Sequence, residues 1–291
     1  MVSIGILFAL GALLSWGFGD FFIQRATRVV GVWKSLFFIT LSASVILFPF
    51  IYKEIPELFE RPELLLLLVL DSMVSLFAAL CIFRSFKEGK IAVVEPLMGM
   101  ELPIIVGLSI VLWNEALSFS QALLILAVFI GIVLTVTVNY KYLYLHKQLF
   151  EKGAVWAGLG AIGMGLSTFI FGIASQLTSP LMANWFVDAF IMVVCFLYLW
   201  SRGQRRQLVH DFDNNRALIL SASIVSISAW IFYAYAVTYI PISIATTISE
   251  SYIALAVLLG LVINKEKLQL HQLVGVVMVI ASVIILSAIT V

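Results

Sequence analysis

Long apolar stretches recur along the chain and are separated only by short polar or Pro/Gly-containing breaks. A helix rises about 1.5 Å per residue, so about 20 apolar residues cross the hydrocarbon core of a bilayer, which is about 30 Å thick. No polar connection is long enough to form a soluble domain. The pattern therefore predicts ten transmembrane helices, numbered spans 1 to 10: residues 3–24, 32–52, 64–84, 90–111, 120–139, 153–174, 181–201, 216–239, 241–263 and 270–290.

The composition agrees with a membrane protein. Of the 291 residues, 63% are hydrophobic and 11% are charged, against roughly 25% charged in an average soluble domain. These values exclude an ordinary soluble enzyme, which needs more surface charge, and a disordered chain, which carries fewer apolar side chains. The net charge of +1 provides no basic surface for nucleic acid. Cys81 and Cys195 lie in apolar runs and are predicted to be buried thiols.

The basic residues predict the orientation of the spans. Of the 17 Lys and Arg residues, all except Lys53 and Arg61 lie in or beside the connections that follow odd-numbered spans. Lys and Arg accumulate in cytoplasmic connections, so the odd connections are predicted to be cytoplasmic. Both termini are then expected outside, in a multi-pass protein of the plasma membrane.

A weak internal repeat divides the chain into two halves. With a shift of 149 residues Glu101 aligns with Glu250, and with two extra residues the Glu-x-Leu-x-x-x-Gln string at 115–121 aligns with the one at 266–272. We predict a first five-helix repeat over 1–140, a cytoplasmic linker over 141–152 and a second repeat over 153–291. Because each unit has an odd number of spans, the two must insert with opposite orientation, an arrangement found in secondary transporters.

The repeated motifs resemble those of a known family. One series of residues consists of Pro96, Pro103, Glu115, Gln121 and Gly131. It resembles the fourth-to-fifth helix signature of the EamA branch of the drug/metabolite transporter superfamily. The series that resembles its ninth-to-tenth helix signature is Glu250, Glu266, Gln272 and Gly275, and Ser15-Trp16-Gly17 resembles its first-helix start. The resemblance covers essentially the whole chain. It implies a central cavity lined by spans 1–4 and 6–9, with spans 5 and 10 peripheral.

The same motifs predict two local features. Pro96 and Pro103 are expected to break or kink span 4, because proline cannot donate the backbone hydrogen bond of a helix interior. Glu115 and Glu266 lie just before spans 5 and 10. A carboxylate is favoured at a helix N-terminus, so both are interpreted as capping or loop charges.

Six carboxylates fall inside predicted spans: Asp20, Asp71, Glu95, Glu101, Asp188 and Glu250. A central charge costs about 2.5–3.5 kcal/mol on insertion scales, so such residues usually face a cavity and carry function. Glu101 and Glu250 lie near the membrane midplane at equivalent repeat positions. They are predicted to face each other across the cavity as a proton-titratable or cation-binding pair. The alternative is that each is a neutral glutamic acid whose hydrogen bonds tie helices together.

The remaining candidate carboxylates lie nearer the membrane surfaces. Asp71 and Asp188 are both about seven residues from the outer ends of spans 3 and 7, and Asn184 shares the face of Asp188 one turn away. All three are predicted to contribute to the solute site, the alternative being water-exposed positions near the membrane surface. Glu95, in the first turns of span 4, is interpreted as a charge favoured by the helix dipole.

Aromatic residues in the cavity-lining spans suggest a wall suited to an organic cation. The candidates are Trp16, Trp230, Tyr233 and Tyr252. Aromatic faces attract cations, and a nearby carboxylate adds to this attraction. The alternative is ordinary packing or lipid-facing aromatics.

Asp20 is both a candidate site residue and part of a rival motif. It ends Gly17-Phe18-Gly19-Asp20, which resembles the Gly-x-Gly-Asp string of intramembrane aspartyl proteases. That chemistry needs a second aspartate close enough to share a proton. Asp71 would have to supply it from the other side of the membrane. A third interpretation of Asp20 is an ion pair with Arg25 or Arg84.

The sequence contains no pattern typical of a cofactor or metal enzyme. No two histidines have metal-ligand spacing within a span, and no phosphate-binding loop is present. We therefore predict a secondary transporter, not an enzyme, that moves a small organic solute by alternating access. A cationic or zwitterionic solute is favoured, with the proton as candidate coupling ion. A passive channel or scaffold and the protease are the alternatives.

Overall fold

The structure is a computed structural model that describes residues 3–89, 97–136, 153–255 and 269–290. All regular secondary structure in these ranges is helical. The helices are α1 (Ile4–Val30), α2 (Val32–Ile51), α3 (Ile55–Phe59), α4 (Pro62–Glu88), α5 (Glu101–Val111), α6 (Phe119–Val136), α7 (Ala154–Leu177), α8 (Pro180–Ser201), α9 (Arg205–Tyr239), α10 (Ile242–Glu250) and α11 (Leu270–Ile289). The predicted linker 141–152, Glu95, Pro96 and Glu266 lie outside the described residues.

Seven of these helices, each of 20 to 35 residues, are long and apolar enough to cross a membrane. They are α1, α2, α4, α7, α8, α9 and α11, and they correspond to predicted spans 1, 2, 3, 6, 7, 8 and 10. Spans 4, 5 and 9 contain the shorter apolar helices α5, α6 and α10. Each of these three spans extends into residues that the structure does not describe. The all-helical membrane class is confirmed for the described ranges, and the number of ten spans stays a prediction.

The segment before predicted span 8 is helical, although its polar sequence suggested a connection. α9 begins at Arg205 and passes through one non-helical residue, Asn215, before entering the apolar part. Leu208 is buried, and Phe212, one turn later, packs against Phe38 with 5.8 Å between ring centroids. One apolar face at helical spacing therefore holds this polar helix against the bundle.

The helices that carry Glu101 and Glu250 are interrupted beside these residues. α5 begins at Glu101 after a turn at Gly99 and Met100, and α10 ends at Glu250 before a turn at Ser251. The break in span 4 was expected at the prolines. Pro103 instead lies in the first turn of α5. Backbone N–H groups in the first turn have no partner within the helix, so a proline there removes no intrahelical hydrogen bond.

The most extensive packing joins helices from different halves of the chain. α1 packs against α9, α4 against α7, α6 against α11 and α2 against α8, and α5 also packs against α10. Exchanging each span of the first half with the equivalent span of the second half, span 1 with span 6 and so on, leaves this set of pairs unchanged. The packing is therefore reciprocal between the two halves of the chain.

The repeated Glu-x-Leu-x-x-x-Gln strings have matching local roles in the two halves. Gln121 accepts a hydrogen bond from the Ser118 backbone N–H at 2.9 Å, and its own N–H donates to Ser118 Oγ at 3.2 Å. Gln272 and Gln269 form the equivalent capping box at the start of α11. Each glutamine satisfies a donor that a helix start would otherwise leave unpaired.

Glu115 caps a helix, but not the helix that follows it in sequence. Its carboxylate accepts hydrogen bonds from the backbone N–H groups of Ile242 and Ser243 and from Ser243 Oγ. These donors belong to the first turn of α10, in the other half of the chain. The sequence predicted a capping charge correctly but could not show that tertiary packing brings a distant helix to it.

A glycine sets the close approach of α7 to α4. A Cβ on Gly160 would lie 2.7 Å from Ile82 Cγ1 and 3.2 Å from the Ile82 backbone nitrogen. Ser167 lies two turns further along α7, on the same face. The missing side chain therefore keeps Ser167 within reach of α4. Elsewhere in the bundle, Cys81 and Cys195 are buried free thiols, as predicted.

Candidate functional site

A cavity lies between the helices in the described part of the protein. Its volume is about 150 Å³. Its described lining residues come from α1, α2, α4, α5, α7, α8, α9 and α10 and from the residues beside α5 and α10. None of them belongs to α6 or α11. The lining helices are therefore those of spans 1–4 and 6–9.

Four carboxyl side chains line this cavity: Asp20, Glu101, Asp188 and Glu250. None of the described lining residues is Lys, Arg or His. Carboxyl groups at this depth are costly unless they bind protons, solutes or one another. The cavity is consequently suited to positive charge.

Glu101 and Glu250 meet at the wall of the cavity. Their side chains are 4% and 5% exposed, and each is close enough to influence the other electrostatically. Since ionised carboxylates have only acceptors, a hydrogen bond between the two groups would need a proton on one of them. The pair was expected on opposite walls, but the direct packing of α5 against α10 brings the two side chains into contact.

Asp20, on α1, lies next to this pair. It interacts with the segment that follows the turn at the end of α10. Tyr252, just beyond the turn after α10, donates a hydrogen bond to the Asp20 carboxylate. The ion pair with Arg25 or Arg84 that the sequence left open is not formed among the described residues. Arg84 pairs instead with Glu88, one turn along its own helix, at 2.9 Å.

Asn184 and Asp188 lie one turn apart on α8, and both line the cavity. Asn184 Nδ2 donates to the backbone oxygens of Pro180, at 2.8 Å, and Trp230, at 3.4 Å. Asp188 is partly buried and has no hydrogen bond or ion pair within the described ranges. Its carboxylate is therefore left to interact with whatever enters the cavity.

Three of the four predicted aromatic residues form one continuous part of the wall. Trp16, Trp230 and Tyr252 line the cavity, with the Trp16 ring centroid 5.4 Å from that of Trp230 and 6.2 Å from that of Tyr252. Tyr233 is fully buried behind them, and its hydroxyl lies 2.8 Å from Thr246 Oγ1. Tyr233 thus supports the wall rather than facing a solute.

Asp71 also lies outside the cavity lining. It is fully buried between α4 and α7. Its Oδ1 accepts hydrogen bonds from Ser167 Oγ, at 2.8 Å, and from Ser75 Oγ, at 3.3 Å. Ser75 does line the cavity, so Asp71 lies directly behind the wall.

The sequence profile of the EamA-like transporter family matches the chain twice, over residues 3–137 and 151–288. The chain belongs to this family. It is therefore a multi-pass membrane transporter of the drug/metabolite type, which implies a small-molecule substrate and a lipid environment. No protein of curated function matches the sequence.

A solved structure supports the fold independently. One crystal structure, described simply as that of a protein, superposes with a TM-score of 0.72 and covers 98% of this chain and 97% of its own. The two sequences are only 12% identical, so this likeness concerns the fold of the transporter alone.

The contacts of the two aspartates give no support to the protease alternative. Asp20 is bonded to Tyr252, whereas Asp71 is bonded to Ser75 and Ser167, and the described contacts do not join the two. A shared proton between them would require such a contact. Within the described residues, no group of three or more His, Cys, Asp or Glu could hold a metal ion.

Sequence reasoning missed several residues of the transporter's cavity. They include Thr40, Ser75, Met98, Thr168, Phe171 and Ser226. Ser75 could have been found, because it lies one turn after Asp71 and shares its face. Met98 and Phe171 carry no such signal, since apolar side chains cover lipid-facing and interior surfaces alike.

Proposed function

We propose that this transporter moves a small organic cation across the plasma membrane by alternating access, with the proton as coupling ion. The observation that carries the proposal is the charge of the cavity. Four carboxyl groups line it, and none of its described lining residues is basic. A zwitterion would bring a carboxylate that finds no positive partner there. A cation is therefore favoured over the zwitterion that the sequence left open.

The aromatic wall supports the same substrate class. Trp16 and Trp230 stand edge to face beside Tyr252, close to the Asp20 carboxylate. A cation over a tryptophan face gains about 0.5–2 kcal/mol, more when it is desolvated. Rings and carboxylates together can replace part of the hydration that an ammonium group loses on entering the membrane.

The reciprocal packing supports ten spans in two inverted repeats. The family profile matches each half separately, and the helix pairs map onto one another when the halves are exchanged. Two units of five spans insert with opposite orientation, which suits a site that opens alternately to either side. The distribution of Lys and Arg supports cytoplasmic odd connections and both termini outside.

The contact between Glu101 and Glu250 supports proton coupling. Two buried carboxyl groups that lie this close repel each other when both are ionised, so a proton on one of them is favoured, and both side chains line the cavity. A cation that enters can displace that proton electrostatically. Solute and proton would then occupy the site in turn, which is the requirement for exchange between them.

Flux into liposomes tests this function directly. The purified protein is reconstituted, a pH gradient is imposed, and uptake of labelled tetraethylammonium, amino acids and sugars is measured. We expect gradient-driven uptake of the amine. Glu101→Gln and Glu250→Gln should each reduce the uptake of tetraethylammonium by at least about tenfold, equivalent to about 1.4 kcal/mol. Each variant keeps only one of the two carboxyl groups, so the pair can no longer exchange a proton as it does in the wild type.

Glu63→Gln provides the matched control, since Glu63 is an exposed acid at the start of α4. It should transport at the wild-type rate. If both central variants also match the wild type, the proton-coupling role of the pair is wrong. Uptake of sugars or amino acids without the amine would overturn the cationic substrate, and equilibration that ignores the gradient would indicate a passive channel.

A further inference from the structure

The cavity carboxyls fall into two groups on different helices. The first, called the glutamate pole, consists of Asp20, Glu101 and Glu250 on α1, α5 and α10, and α10 packs against both other helices. The second, called the Asp188 pole, consists of Asp188 and Asn184 on α8. In the described structure, α8 packs extensively against α2, α4, α7 and α9, and not against the helices of the glutamate pole. The two poles therefore belong to different sets of packed helices around one cavity.

The Asp188 pole offers only hydrogen-bond acceptors. Asn184 commits its Nδ2 to two backbone oxygens, which leaves its amide oxygen for the cavity. Asp188 adds a carboxylate that has no partner within the described ranges. A primary ammonium group has three donors and no acceptor, so its chemistry is complementary to this pole.

The wall between the poles is aromatic. Tyr252, which is bonded to Asp20 in the glutamate pole, lies 6.2 Å from Trp16, and Trp16 lies 5.4 Å from Trp230, between ring centroids. The backbone oxygen of Trp230 accepts the hydrogen bond from Asn184. A continuous row of rings thus leads from one pole to the other. An aliphatic chain can pack along these rings.

We infer that the solute is a linear dication, a diamine whose two ammonium groups are joined by an aliphatic spacer. One ammonium is held by the glutamate pole, the other by Asp188 and Asn184, and the spacer lies along Trp16 and Trp230. A solute with one ammonium group can interact with only one of the two poles, whereas a diamine supplies hydrogen-bond donors and positive charge to both. The inference rests on the proposed function and narrows its substrate class.

Binding of two matched amines tests this inference. Cadaverine and pentylamine have the same five-carbon chain, and only cadaverine has an ammonium at both ends. Their affinities for the purified wild-type protein are measured by calorimetry and by quenching of tryptophan fluorescence. Cadaverine should bind at least about tenfold more tightly. Asp188→Asn should weaken cadaverine about tenfold and change pentylamine by less than about twofold, while Asp188→Glu should restore most of the preference.

The outcomes separate this inference from the function on which it rests. If wild-type protein binds pentylamine as tightly as cadaverine, the dication is wrong and the organic-cation function stands. The same conclusion follows if Asp188→Asn weakens both amines equally. If neither amine binds to the wild type, the dication is wrong, and the organic-cation function is then decided by the liposome uptake of tetraethylammonium. Asp213→Asn, which removes an exposed acid on α9, should leave both affinities unchanged.

Discussion

Asp71 and Asp188 occupy similar depths in spans 3 and 7, yet their surroundings differ completely. Asp71 is fully enclosed between α4 and α7 and accepts hydrogen bonds from Ser167 and Ser75. Asp188 faces the cavity and has no partner within the described ranges. Depth in the membrane therefore does not tell what a carboxyl group does. The face of the helix on which it lies, and the helix opposite, decide whether its partner is protein or solute.

The contrast assigns the two aspartates to different properties of the transporter. Asp71 joins a helix of the first half to a helix of the second, so its hydrogen bonds contribute to the packing of the halves. Side-chain hydrogen bonds between membrane helices average about 0.6 kcal/mol and reach about 1.7 kcal/mol. Asp188 lines the cavity, and in the proposed function it contributes to solute binding instead. Changes at the α4–α7 contact should thus lower stability, and changes at Asp188 should lower affinity.

The largest effect is expected where α7 touches α4 most closely. Gly160→Leu should lower the free energy of unfolding by about 2–3 kcal/mol, because its side chain would collide with Ile82 and force the helices apart. Thermal unfolding of the purified protein in detergent measures the change. Gly158→Leu is the control on the same helix, since a Cβ on Gly158 would meet nothing within 4 Å. Equal losses for both variants would show that the close contact is not what stabilises this interface.

A smaller effect is expected from the aspartate itself. Asp71→Ala should lower the free energy of unfolding by about 1–2 kcal/mol, because Ser75 and Ser167 lose their shared acceptor. Cadaverine affinity should change by less than about threefold, since Asp71 does not line the cavity. Ser72→Ala serves as the neighbouring control, because the hydrogen bond that Ser72 makes within the described residues is to the Leu68 backbone oxygen of its own helix. If Asp71→Ala leaves the free energy of unfolding unchanged but abolishes cadaverine binding, Asp71 belongs to the binding site and not to the packing of the two halves.

The smallest effect on stability is expected at Asp188. Asp188→Asn should change the free energy of unfolding by less than about 0.5 kcal/mol, because no described hydrogen bond is lost and the side chain keeps its shape. The same detergent unfolding experiment measures it beside the binding assay. A loss as large as that of Asp71→Ala would mean that Asp188 also supports the packing of α8.

Much of the architecture follows from local pattern. Continuous apolar runs predict the seven long helices, because a backbone in lipid must satisfy its own hydrogen bonds. The repeated motifs identify the family, and the two glutamines act as capping residues in both halves. Ionisable residues inside apolar spans indicate most of the carboxyl groups that line the cavity, since an isolated charge in the membrane is costly and usually faces a cavity.

Other features could not be predicted from the pattern. The helical start of α9 looked like a connection, because its apolar face is only Leu208 and Phe212. Tyr233 and Trp230 are three residues apart on one helix, but only Trp230 reaches the cavity. Which aromatic faces a solute depends on what packs behind it, and that information lies in helices distant in sequence.

The sequence by itself determined that the protein is a helical membrane transporter of this family, and it indicated where buried charge would be concentrated. Hydropathy, spacing and repeated polar residues suffice for this, because each is a local consequence of placing a chain in lipid. Only the tertiary structure decided that Glu101 contacts Glu250, that Asp20 bonds to Tyr252, and that Asp71 and Asp188 differ. Hydrogen bonds and cavities arise between helices far apart in the chain, so pairing of helix faces, and not residue type or depth, assigns each carboxyl its partner.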